Sequence, residues 1–397
     1  MKTMNGGSSE THDGGLSETQ PGVSSGAKGR GKNSIFDRPA NSSTNNSKAN
    51  SGDSMGWFEQ FNRFWFTPVA PNTIGLIRLL TGCLIFYITL CYSFELLAFV
   101  GPDGIVNQGL ADHFRKNTSM YVMAPEWSEN TIEITKTNLS WSVFYHATSP
   151  YWIWAFHLGF LTANFCMAIG FFSRTSSILS WIGALAYVHR APSGLFGMDA
   201  MIMILLFYMI IAPGGEIYSL DHYFQKLRRK KAGDPNWNEP PKPLILSNFV
   251  TRMIQIHFCI IYLAAATSKL QGSSWWNGTA LWGVLANYSF NPMHIPFYTS
   301  LLVFLTKHKV LWEVVMTTGC VYTIMLEASF PFLVWNHKLK WIMICGSIML
   351  HTGIGLLMGL TTFSLCMITL VLAFIPPEFI KNLIDRYGIG SFKRSSI

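Results

Sequence analysis

The chain of 397 residues is 49% apolar and only 13% charged, about half the charged share of an ordinary soluble domain. Its formal charge of +8 sits on lysines and arginines placed beside long apolar runs. That pattern orients helices in a bilayer and excludes nucleic acid as the expected partner. The seven cysteines all lie inside apolar runs. None forms a CxxC pair, so neither a disulfide framework nor a metal site is expected.

Residues 1–55 are rich in Gly, Ser, Asn and Thr and poor in large apolar side chains. They are expected to form a disordered cytoplasmic tail, and with no apolar core of a signal peptide the first span must direct insertion. Trp57 to Phe66 is aromatic and amphipathic and reads as a helix lying in the membrane interface. Residues 56–377 then form one membrane domain, an all-α polytopic bundle of about eight spans. The expected spans are Thr73–Val100, Tyr151–Phe172, Ser176–Arg190, Met198–Ala212, Phe249–Lys269, Leu311–Trp335, Leu339–Met358 and Thr361–Ile375. The third and fourth are short and are expected to be tilted, re-entrant or shielded. Residues 378–397 are a second cytoplasmic tail.

Lysine and arginine set the orientation. The N-terminal segment, the run Lys226–Lys231, Arg174, the pair Lys338 and Lys340, and the C-terminal tail are all basic. Eight spans put every one of these segments on the cytoplasmic side, whereas seven or nine would divide them. Both termini are therefore expected in the cytoplasm and the protein in the plasma (inner) membrane. Residues 101–150 and 271–310 then face outward, the second with a short helix over Ala280–Asn287. Asn117 and Asn138 lie in N-x-S/T sequons of the first outer loop.

An ionisable residue inside an apolar run is costly and marks a candidate site. Lys269 closes the fifth span in the stretch YLAAATSKLQGSSWWNG, Tyr262 to Gly278. It is either an anchor snorkelling beside Trp275 and Trp276, or a desolvated amine able to act as a base. His351 in the seventh span is either a bundle hydrogen-bonder or a proton acceptor. Asp199 is either a cap for the fourth span or an acid facing an outer cavity. Arg78 reads as a structural cation, bonded to an interhelical carbonyl or an acid, with Glu327 one candidate. Lys269, His351 and Asp199 fall in the outer half under one topology and would form an outward-opening pocket if the bundle brings them together. There is no P-loop, HExxH, GxSxG or dinucleotide-binding glycine motif.

Four stretches carry a resemblance. TPVAPNTIGLIRLLTG (67–82), GFFSRTSSIL (170–179), APGGEIYSLD (212–221) and the Tyr262–Gly278 stretch follow one another in order. Together with His351 they resemble the membrane domain of the vitamin K-dependent γ-glutamyl carboxylases and their bacterial relatives, the HTTM membrane-domain family. The resemblance covers residues 57–377. It implies that Lys269 is the base that deprotonates vitamin K hydroquinone or another quinol. Oxygen then turns the quinol anion into a strong base, which removes a γ-proton from a glutamyl side chain, and the carbanion takes up carbon dioxide. By the same resemblance His351 is a proton or substrate contact. Asp199, where the family has a histidine, would line the cofactor with Trp275 and Trp276. A glutamyl-containing protein or peptide would be the partner, alongside the lipid bilayer. The chain departs from the family at Leu365, where a tyrosine is expected, and in having one lysine where the family has two. The alternative is a non-enzymatic HTTM-type protein that binds lipid or quinone, scaffolds partners or moves a small molecule.

Overall fold

The computed structural model describes residues 56–117, 141–191, 194–289 and 291–386. The expectations for residues 1–55, for Asn138 and for the end of the C-terminal tail lie outside these residues. A chain this apolar must satisfy its backbone hydrogen bonds internally, and helices do so within one segment. All regular structure among the described residues is accordingly helical. One isolated bridge pairs Val69 with Leu244.

The helices run α1 (Trp57–Phe66), α2 (Asn72–Tyr92), α3 (Leu96–Val100), α4 (Gln108–Asn117), α5 (Pro150–Ile169), α6 (Ser173–Arg190), α7 (Gly197–Ile211) and α8 (Leu220–Lys231). They continue with α9 (Ile245–Gln271), α10 (Ser273–Trp276), α11 (Ala280–Leu285), α12 (Pro296–Lys307), α13 (Lys309–Leu333), α14 (Lys340–Leu357), α15 (Thr361–Val371) and α16 (Pro377–Arg386). Five of them, α2, α5, α9, α13 and α14, are long and apolar enough to cross a membrane, which makes the chain a multi-pass membrane protein by length and composition. The expected number of about eight is not reached on that criterion. α7 is apolar but has only 15 residues. α6 buries serines and ends in His189 and Arg190. α15 reaches only Val371 before a 3-10 turn, and the chain then bends by 112° into α16.

Other boundaries differ for local reasons. The first expected span, Thr73–Val100, breaks at Ser93–Glu95, and α3 is separate. Ser93 turns out of the helix and its hydroxyl lies 2.8 Å from His157 Nε2. The segment before the expected sixth span holds α12, a 12-residue apolar helix begun by Pro296. Proline suits a first helical position because that N–H has no helical partner. α16 turns the start of the expected tail into an amphipathic helix.

Apolar burial drives little association between helices in lipid, so close packing and hydrogen bonds hold them. α2 and α5 meet closely at Gly82, where an added Cβ would stand 2.5 Å from Ala168 Cα. At the end of α5, Gly170 takes φ 69° as a left-handed cap. The central core joins α2, α7, α9, α13, α14 and α15. Its middle is an aromatic cluster of Phe258, Tyr262, Phe330 and Phe374, with neighbouring centroids 4.4 to 5.9 Å apart. This cluster fixes α9 against α13 and so sets the register of the polar residues one or two turns further along.

Arg78 is almost fully buried. Its Nη1 donates to Met167 O and Ala168 O at 2.7 and 2.9 Å, and its Nη2 to Tyr218 O. The guanidinium thus bonds carbonyls of the last turn of α5, where Met167 O also accepts from the Gly170 N–H at 3.2 Å. The expected interhelical carbonyl is its partner, and Glu327 is not.

Candidate functional site

Helical spacing puts Tyr262, Ala266 and Lys269 on one face of α9. Side chains on a helix lean toward its N-terminus, so Lys269 at the C-terminal end reaches back along α9 rather than outward. There it meets α13. Lys269 Nζ donates to both oxygens of Glu327, at 2.9 and 2.7 Å. The lysine side chain is 22% exposed and the glutamate 8%. Trp275 covers the other side of the ammonium, 5.3 Å from ring centroid to Nζ. A lysine whose charge is met by a buried carboxylate and an aromatic face is not an anchor reaching for headgroups.

Two turns back on α9 a second polar chain begins. Tyr262 Oη lies 2.7 Å from Ser347 Oγ and 2.9 Å from His351 Nε2. Ser347 and His351 are four residues apart on α14, hence on one face. All three residues are buried. Lys269 and Tyr262 stand two turns apart on the same face of α9, which carries both groups. The ion pair and the Tyr–Ser–His chain are therefore one polar cluster drawn from α9, α13 and α14. His351 Nδ1 is buried and has no hydrogen-bond partner. A buried polar atom left open in this way is unusual and fits a group that binds there.

Asp199 does not join Lys269 and His351. Its carboxylate accepts from the backbone N–H of Phe196 at 2.9 Å, closing the first turn of α7. It lines a cavity of about 80 Å³ among α2, α3, α6 and α7, to which neither Lys269 nor His351 contributes. Tyr92 and Tyr187 stack there at 5.2 Å. The Tyr187 hydroxyl lies 2.6 Å from Nδ1 of the fully buried His157. The capping role for Asp199 is what the structure supports, and the outward pocket shared by all three residues is not formed. Of the tryptophan pair, Trp275 faces Lys269, while Trp276 is 70% exposed and donates to Leu270 O at 2.7 Å.

Three partners escaped the sequence reading: Tyr262 and Ser347 in the cluster, and Glu327 as the counter-ion of Lys269. Tyr262 had a readable signal, seven residues before Lys269 on the same helical face. Glu327 had none, because its choice between Arg78 and Lys269 depends on how α13 packs.

No family model, curated protein or solved structure matches this chain.

Proposed function

We propose that the chain is a multi-pass membrane enzyme of the HTTM, carboxylase-like type, in which Lys269 is the proton-accepting residue and a quinol the cofactor. The observation that carries this reading is the Lys269–Glu327 ion pair set against Tyr262, Ser347 and His351. The residues present suit a quinol. Trp275 offers an aromatic face beside the amine, and the open Nδ1 of buried His351 offers a hydrogen-bonding position. When bound, the quinol supplies a weakly acidic hydroxyl and the reducing equivalents that oxygen consumes, which carboxylation of a glutamyl side chain by carbon dioxide requires.

The chain's own residues do the following. Lys269 Nζ holds a proton shared with Glu327. Moving that proton onto a Glu327 oxygen leaves an amine and a carboxylic acid, with no change in net charge in a low-dielectric setting. The amine lone pair can then accept a proton from a hydroxyl placed beside it. His351 is oriented by the Tyr262 hydroxyl at Nε2 and keeps Nδ1 for a ligand. Trp275 excludes water from one side of the amine.

The same reading takes α6, α7 and α15 as three further spans, giving eight. Both termini are then cytoplasmic, the membrane is the plasma (inner) membrane, and a glutamyl-containing protein or peptide is the partner. Two of its supports are geometric. Stretches 67–82, 170–179 and 212–221, which carry the resemblance, meet at one end of the bundle, where Arg78 bonds Tyr218 O and Asp221 bonds Phe172 N and Ser173 N. Lys269 and His351, the two residues to which the resemblance assigns catalytic roles, share one cluster, with Trp275 beside Lys269 and Asp199 outside it.

The test is incorporation of labelled carbon dioxide into glutamyl peptides by the membrane-reconstituted protein with reduced quinones. Wild type is expected to incorporate label and Lys269→Ala to lose it while remaining folded. Full activity of Lys269→Ala sinks the base assignment. The fact that the Lys269 charge is already met by Glu327 favours one second reading, a non-enzymatic HTTM-type protein that binds lipid or quinone. Absence of incorporation with every quinone, alongside saturable quinone binding, selects it.

A further inference from the structure

A separate polar groove lies where α5 turns into α6 and α7 runs into α8. Its volume is about 490 Å³ and it is lined by Arg78, Arg174 and Arg228 together with Glu216 and Asp221. Phe172, Ile211, Phe224 and Leu246 form its apolar side. Asp221 is committed to protein donors: its carboxylate accepts from Phe172 N, Ser173 N and Ser173 Oγ at 2.7 to 2.9 Å. Three guanidiniums against two carboxylates leave one positive charge in excess.

The basic residues of α8 are not equivalent. The segment that follows the helix occupies several of them. Arg229 pairs with Asp234 at 3.1 Å, Lys226 donates to Asn238 at 3.3 Å, and Lys230 lies over the Trp237 ring at 4.9 Å. Arg228 turns to the groove instead. Neither its guanidinium nor that of Arg174 has a hydrogen bond or ion pair among the described residues. Arg78, buried at the back, keeps an Nε with no partner. Arg174 stands in the first turn of the 18-residue α6, whose leading amides already hold the Asp221 carboxylate, so its own guanidinium is the group left for a ligand.

We propose that this groove binds the phosphate headgroup of an anionic phospholipid from the leaflet on which α8 lies. Arg174 and Arg228 clamp the phosphate from α6 and α8, and the phenylalanine side receives the start of the acyl chains. Arginine suits the task because its planar fork matches phosphate oxygens two at a time. The amphiphilic lining selects a lipid over a soluble phosphate, since a free anion would leave Phe172, Phe224 and Leu246 uncovered. The site is independent of the Lys269 cluster and of any activity there.

Native mass spectrometry of the full chain in detergent tests it. The protein is titrated with dioleoyl phosphatidylglycerol, dioleoyl phosphatidylcholine, glycerol phosphate and inorganic phosphate. One phosphatidylglycerol is expected to be retained in preference to phosphatidylcholine. Arg174→Gln/Arg228→Gln is expected to weaken its retention about tenfold. Lys230→Gln/Lys231→Gln, on the same helix but outside the groove, is expected to leave it unchanged. Arg174→Lys/Arg228→Lys keeps the charge, and its partial retention of binding separates loss of the clamp from loss of fold. Equal retention of the two lipids overturns the proposal. So does an equal loss in the Lys230/Lys231 variant, which reduces the effect to surface charge. Displacement by glycerol phosphate or inorganic phosphate at the concentration of the lipid overturns it in favour of a soluble anion.

Discussion

Lys269 illustrates how the partner of a charge decides its role. Breaking a buried ion pair leaves one charge without compensation, at a cost of about 3–5 kcal/mol, whereas replacing both partners is often neutral. Lys269→Met alone and Glu327→Leu alone are therefore expected to lower thermal stability in detergent, and the double variant to recover most of the loss. Carboxylation or quinone-dependent activity is expected to stay absent in the double variant, which separates the chemical role from the structural one. A double variant that regains both would leave Lys269 with packing alone. Tyr262→Phe removes the hydroxyl that orients both Ser347 and His351. A loss of about 1–3 kcal/mol is expected, because two buried groups lose a partner. A thermal midpoint equal to wild type contradicts the network.

Helix contacts here depend on small residues and on caps more than on apolar area. Gly82→Leu would place a side chain where Ala168 backbone lies. Overpacking of this kind costs about 1–3 kcal/mol or more when backbone must shift, and reduced folded yield in a fluorescence-detected size-exclusion assay is the expected result. Arg78→Met removes the cation that satisfies Met167 O and Ala168 O at the end of α5 and Tyr218 O before α8. It is expected to destabilise more than any substitution of the exposed Arg174. A smaller effect from Arg78→Met than from Arg174→Gln would show that the α5 end is held in another way. Phe172 and Tyr218 both take positive φ, 46° and 53°, at this same junction. Such conformations persist where the surroundings hold them firmly, and here Asp221 holds the Phe172 and Ser173 amides.

For the molecule as a whole, the proposed eight spans have a direct consequence. α1, α8 and α16 then lie on one side of the membrane, and α10–α12 on the other. In a variant lacking the native cysteines, single cysteines at Lys231 and Asp385 are expected to label with an impermeant maleimide only from the cytoplasmic side, and one at Tyr288 only from outside. Labelling of Lys231 and Asp385 from opposite sides would refute eight spans, and with it the assignment of α6, α7 and α15.

Composition and helical periodicity were enough to predict an all-helical chain with several helices long and apolar enough to cross a membrane, to set the amphipathic helix at Trp57–Phe66, and to find most helices within a few residues. These are properties of local chain chemistry, since a long apolar run has few other ways to satisfy its backbone in lipid. Lys269, His351, Asp199 and Arg78 were also legible, because charge inside an apolar run stands out one residue at a time. Their grouping was not. Whether Glu327 meets Arg78 or Lys269, and whether Asp199 reaches His351 or turns back to cap its own helix, depends on the rotation and register of α9 against α13 and α7. For α9 against α13 these are set by the packing of Phe258, Tyr262, Phe330 and Phe374. Such contacts join residues tens to hundreds of positions apart, so only the tertiary structure decided which polar side chains form a site.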